Sequence, residues 1–317
     1  MSALTLKGPY WVTVRQHRRA LWALPALVAA GLAAVVALRS WAGDPYSDPM
    51  SYTGRGYGVL RMFMEYAGTS LLFLPLLVGA FVAGPMIARE LESGTWRLAL
   101  TQSSTAKSWL GAKVLAAATV SVLGAVALAG VYRLGWARVS GTWQLHWADR
   151  GPYEAAGPVL VAYCLLGVAL GALVGQLVRR TVAAMAVTGL LTGLTLLVLG
   201  ALRWSLLSAE TNTIPLAGSP VELMPHSALL MDLGLVTASG QRLSENACFE
   251  RTQNLTVCPA DMNVTGQYAD FHPVSHYWPT QLIETSIVLA LAAIALYAAF
   301  RLVRVRDTAI GAGRGAA

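Results

Sequence analysis

The chain has 317 residues, 56% of them hydrophobic and only 12% charged, with a mean hydropathy of +0.54. That composition excludes an ordinary soluble domain and implies a polytopic membrane protein. The formal charge of +7 is divided between separate loops instead of gathered on one basic surface, which argues against nucleic acid as a partner.

Ahead of the first apolar run, Tyr10, Trp11 and Val14 interleave with Arg15, Arg18 and Arg19, the pattern of a helix lying in the membrane interface or of a plain charged anchor flank. Uninterrupted apolar runs of about 20 residues predict six spans, near residues 21–38, 68–88, 109–132, 158–178, 182–202 and 283–300. The first follows a long basic prelude and precedes five others, so it reads as an uncleaved anchor. The expected fold class is an all-α integral membrane protein with six transmembrane helices. Its divisions are an interfacial helix over 1–20, helices one to five over 21–202, an extracytoplasmic loop domain over 203–282, and the sixth helix with a cytoplasmic tail over 283–317.

Six spans put both termini on one side, and that side carries fourteen of the 23 basic residues but only three of the 16 acidic ones. The termini are therefore expected in the cytoplasm of the cell membrane. In the second span Pro75, Gly79, Gly84 and Pro85 predict a kinked or broken helix, tolerated where neighbouring helices satisfy the freed backbone groups.

Between the second and third spans the chain reads Arg89-Glu90-Leu91-Glu92-Ser93-Gly94-Thr95-Trp96-Arg97, followed by Lys107 and then Trp109-Leu110-Gly111-Ala112-Lys113. A compact interfacial turn or short helix is expected here, with Leu91, Thr95 and Leu98 on one face. These residues resemble the ABC-2 type permeases, the membrane subunits of ABC exporters of the type II/type V class, and actinobacterial members in particular. The resemblance implies that residues 89–106 are a coupling helix docking on a separate ATPase, with Glu90, Glu92, Gly94, Thr95, Trp96 and Arg97 as candidate contacts. It further implies two copies of that ATPase, which bind the ATP and magnesium, and a second, identical permease copy completing the pathway. The implied cycle is alternating access, and the cargo class in such proteins ranges from drugs and peptides to lipids and polysaccharides.

No Gly-x-x-x-x-Gly-Lys-Ser/Thr loop occurs in the chain, and Lys7, Lys107 and Lys113 lie outside any such context, so no cofactor is expected on this polypeptide and no catalysis by it alone. The spans lack an ionisable residue near their middles; Glu65, Lys113 and Glu284 sit at or beside the ends. A transporter driven by protons or sodium usually keeps such a group at membrane depth, so a partner ATPase is the expected source of energy. Apolar spans also favour a hydrophobic or amphipathic cargo, with membrane lipid as the surrounding partner.

The fourth span carries Gly167, Gly171 and Gly175 at one per turn, and the fifth carries Gly189 and Gly193. Such stripes let helix backbones approach closely, within one protomer or across a dimer. The link at Arg179-Arg180 is short enough to make these two spans an antiparallel hairpin, its arginines facing anionic headgroups or the ATPase. In the long outer loop, Cys248 and Cys258 are spaced for a disulfide in an oxidising compartment, whereas Cys164 lies within a span. Asp270, His272 and His276 are the residues that would suit zinc, but Pro273 opposes the helix that would align the histidines, and no metal site is expected. Asn254 and Asn263 head glycosylation-type triplets, irrelevant in a bacterial source. The alternative reading is a receptor or sensor whose outer domain binds a ligand.

Overall fold

A computed structural model describes residues 18–43, 54–96, 105–140, 145–216, 223–253 and 257–314. The expected interfacial helix around Tyr10 to Arg15, the end of the charged turn from Arg97 onward, and the Asn254 triplet lie outside the described residues. The chain forms two compact units: a helical one built from residues up to 140, 149–202 and from 281 onward, and a smaller one built from residues 141–148 and 203–280.

Among the described residues the helical unit holds six helices long and apolar enough to cross a membrane. Helix α1 is Arg18–Ala42. The second span is a 38-residue stretch, Arg55–Glu92, assembled from α2 (Arg55–Leu72), α3 (Leu74–Leu77), a π turn (Val78–Ala83) and α4 (Gly84–Glu92). The breaks sit where the sequence places its prolines. Pro75 has no amide hydrogen to continue the ladder, and Phe73 closes α2 by donating to Ser70 O at 3.1 Å. Pro85 removes a second donor, and Gly84 N reaches back to Gly79 O across a widened turn.

The third span is α5 (Ala106–Val139), started by Thr105, whose Oγ1 accepts from Ser108 N at 3.2 Å. A short helix the sequence reading missed, α6 (Arg150–Ala156), follows; Arg150 is exposed and the other six residues are buried. Helices α7 (Val159–Val178) and α8 (Thr181–Leu202) make the hairpin, and α10 (Tyr277–Arg314) is the last span. Gln281 ties α10 into the bundle: its Nε2 donates to Tyr153 O at 2.6 Å and its Oε1 accepts from Val159 N at 3.3 Å. Tyr163 OH donates to the fully buried Glu284 at 2.7 Å.

At the centre stands α7, with 78% of its apolar window buried, against 6% for α1 and 17% for α8. Its glycines face the second span of the same chain. A Cβ added at Gly167 would come within 2.8 Å of Pro75 O, one at Gly171 within 2.5 Å of Ala83 Cβ, and one at Gly175 within 3.0 Å of Gly84 O. From α8, Gly189 and Gly193 lie against Ala80 and Leu76. The broken part of the second span is therefore held between two glycine faces. The outer faces of α1 and α8 present Leu27, Val36, Leu190, Leu194 and Leu197 as exposed apolar residues, as a lipid-facing surface requires.

The smaller unit corrects the all-α expectation. It contains a four-stranded antiparallel sheet in the order β1-β4-β2-β3, made of β1 (Glu210–Pro215), β2 (Leu229–Thr237), β3 (Arg242–Ser244) and β4 (Val264–His272). The physical reason is the period of the side chains. Ala269 and Phe271 of β4 join Ile214, Leu223 and Ala228 in an apolar cluster, while Tyr268 and Asp270, on the alternate face, enter a polar network. In that network Asp232 and Asp270 stand opposite each other, and two like charges so placed repel. Arg242 relieves them by donating to Asp270 Oδ2 at 2.6 Å, and Tyr268 OH donates to Asp232 at 2.9 Å. The Thr211 hydroxyl and the Arg242 guanidinium hold the Asp270 carboxyl below the usual carboxylate range. Helix α9 (Ala247–Thr252) carries Cys248, which is joined to Cys258 with an S–S distance of 2.03 Å.

Candidate functional site

The charged turn lies at the end of α4, and its beginning is still the helix of the second span. Arg89, Glu90, Leu91 and Glu92 form the last turn of α4, Ser93 closes it by donating to Arg89 O at 3.0 Å, and Gly94 follows with φ +73°. A left-handed glycine one residue past the cap is a standard helix stop. It interrupts the continuous helical face expected for Leu91 and Thr95, while Leu98 lies outside the described residues. After it, the Thr95 and Ser93 hydroxyls pair at 2.9 Å, and Trp96, with Leu91, packs against the apolar cluster that holds Ile87, Trp109 and Leu110.

Both carboxylates of the turn are engaged inside the chain. Glu90 Oε2 accepts from Trp109 Nε1 at 2.9 Å, and its Oε1 accepts from Lys113 Nζ at 2.7 Å. Lys113 is 5% exposed and its ammonium lies 5.7 Å from the centre of the Trp109 ring, so three groups from two consecutive spans form one partly desolvated ionic cluster. Glu92 Oε2 accepts from both the amide and the hydroxyl of Thr181, at 2.8 and 2.5 Å. Thr181 is the first residue of α8, where unpaired amides and the helix dipole favour a negative charge. Just before it, Arg179 ends α7 in the left-handed conformation with φ 52°, and the exposed Arg179 and Arg180 make the hairpin tip.

Of the residues singled out in the sequence, the structure brings Glu90, Glu92, Gly94, Thr95 and Trp96 together at one end of the helical unit, and Arg97 lies outside the described residues. The five glycines do not join that site; they line the second span higher up. Trp109, Lys113 and Thr181 are members of the site that the sequence reading assigned no role in it. A signal for two of them was present: Trp109 and Lys113 belong to the segment that carries the family resemblance, and Lys113 is a cation set one to two turns inside an apolar helix, close in sequence to a pair of acids. Thr181 carried none, being 89 residues from Glu92.

In the smaller unit, His272 is buried, its Nε2 3.1 Å from Trp204 O and its Nδ1 3.0 Å from His276 Nδ1. Desolvation holds its imidazole below the usual range. No group of three or more His, Cys, Asp or Glu side chains suited to a metal ion occurs among the described residues.

Comparison with protein families matches residues 50–203 to the family described as ABC-2 membrane transporter related. Neither the curated proteins nor the solved structures contain a match to the chain. The matched stretch begins before α2 and ends with α8, so it contains the charged turn, both glycine faces and every partner of Glu90 and Glu92.

Proposed function

We propose that this chain, which carries six membrane-length helices among its described residues and matches the ABC-2 membrane transporter related family over residues 50–203, is the membrane-spanning permease subunit of an ATP-driven exporter. In this reading two copies form the pathway, each coupled to its own separate ABC ATPase through residues 89–106. The termini and the turn face the cytoplasm of a bacterial cell, and the sheet-bearing unit is extracytoplasmic, where an oxidising environment keeps Cys248 and Cys258 joined. ATP and magnesium are held by the partner, and the cargo is hydrophobic or amphipathic.

One observation supports this reading above the rest. The family match spans a charged turn, ending in a left-handed glycine, that joins two membrane-length helices. Such a turn, anchored to the bundle by its carboxylates and exposing Arg89 and Thr95, suits a rigid docking knob. The division of lysines and arginines across the membrane supports the cytoplasmic placement.

The test is purification of the tagged chain from membranes of its own host in mild detergent, followed by quantification of bound ABC ATPase and of ATP hydrolysis. The expected result is one ATPase per chain and hydrolysis that vanadate inhibits. A chain that is folded but carries no ATPase in any detergent refutes the proposal and advances the receptor reading.

A further inference from the structure

We infer that Glu90 and Glu92 act inward, as positioning groups that wire the docking turn to two different spans, Glu90 to α5 through Trp109 and Lys113 and Glu92 to α8 through Thr181. The inference rests on the coupling reading above and adds the route by which a push on the turn reaches the bundle.

Direction is the first argument. The two carboxylates are two residues apart in the last turn of α4, about 200° around the helix axis, so one helix end is pinned on opposite sides. Specificity of the contacts is the second. Each oxygen of Glu90 has its own donor, from Trp109 and Lys113, and both donor residues are more than nine-tenths buried. A cation so placed holds its carboxylate firmly, because removing either partner strands the other charge away from water. Glu92 takes both donors of a single helix-starting residue, the geometry of a cap supplied from another helix.

The third argument is the backbone between them and the turn. Ser93 and the left-handed Gly94 end α4 just past Glu92, and Trp96 packs against the apolar cluster that contains Trp109. A displacement of residues 93–96 is thus delivered to the third and fifth spans together. Trp109, Lys113 and Thr181 become positioning residues for coupling, and the outward surface offered to the ATPase includes the exposed Arg89 and Thr95.

Four variants test this in the purified complex: Lys113→Met, Glu90→Gln, Lys113→Arg and the exchange Glu90→Lys with Lys113→Glu. Lys113→Met and Glu90→Gln are expected to retain the ATPase at wild-type stoichiometry and to leave the KM for ATP unchanged. Their kcat should fall roughly five- to tenfold, the low end of a typical coupling between sites. Lys113→Arg and the exchange should recover at least half of that loss, a rescue that a change in general stability does not produce. Thr181→Val should lower kcat in the same way. ATPase lost from the complex in step with Glu90→Gln would place Glu90 on the outer surface, and unchanged kcat in Lys113→Met would show that the cluster carries no motion; either overturns the inference alone. A wild-type chain that holds no ATPase overturns the coupling reading and this inference with it.

Discussion

Replacing Gly171 by alanine adds one methyl group where α7 crosses closely over the backbone of the second span. The new Cβ would stand 2.5 Å from Ala83 Cβ, 2.7 Å from Gly84 N and 2.8 Å from Ala83 C. Ordinary carbon contacts need about 3.5 to 4.0 Å, so α7 and the second span must separate by about 1 Å. Two of the three atoms are backbone, and no side-chain rotation relieves them. Overpacking of this kind costs about 1 to 3 kcal/mol, against a gain of about 0.5 to 1 kcal/mol from replacing a helical glycine. The expected net effect is a loss of up to about 2.5 kcal/mol. Gly130→Ala is the control, since nothing lies within 4 Å of a Cβ there and only the gain remains. Thermal unfolding of the detergent-solubilised protein, followed by tryptophan fluorescence, should place Gly171→Ala below and Gly130→Ala at or above the wild type, with Gly171→Leu lower still. Equal melting of Gly171→Ala and Gly130→Ala would refute the crossing of α7 on the second span.

Three further outcomes are expected. Peptide mapping without reductant should recover Cys248 and Cys258 as one linked pair, and reduction should weaken the smaller unit by at most about 3 kcal/mol for a loop closed over 10 residues; two free thiols in freshly isolated membranes would remove the bridge. His272, whose burial lowers its pKa from 6.5, resists a proton that the unfolded chain accepts, so its contribution to stability is complete above that value and is lost as the pH falls below it. His272→Gln should flatten this acid-side decline in melting temperature, and a variant declining as steeply as the wild type would show that other groups cause it. Gly94→Pro demands a φ near −65° where the chain has +73°, so the turn must rebuild; normal membrane insertion with loss of ATPase retention is expected, and full retention would show that the turn is not the docking element.

The spans were legible because an apolar run of membrane length is a strong signal, but their ends were not. The second was expected over 68–88 and is found from Arg55 to Glu92, because helical structure runs on through Arg61 and Glu65, where hydropathy falls. The same scan passed over α6 and the four strands, which are too short to register in a 20-residue window. Alternation in Tyr268, Ala269, Asp270 and Phe271 was the available sign of β4. In the site, the acids and Gly94 stood out from the sequence, and Trp109 and Lys113 were visible as residues of the resemblance, but which acid meets which partner was not. Lys113 is 23 residues from Glu90 and Thr181 is 89 from Glu92, and separations fixed only by helix packing leave no local trace.

The π turn at Val78–Ala83 gives the second span a screw thread. A π turn houses one residue more than the α turn it replaces, and one residue of α-helix is a step of about 100° and 1.5 Å. Rewinding that turn rotates everything below it by such a step against everything above it. Gly167 and Gly171 of α7 present bare backbone to the rotating part, whereas Thr188 and Thr192 of α8 stand against Gly79. Glu90 and Glu92 lie on the half below the π turn, so their hydrogen bonds to Trp109 and Lys113 of α5 and to Thr181 of α8 fix the rotational setting of that half, and a step of the thread would have to break them.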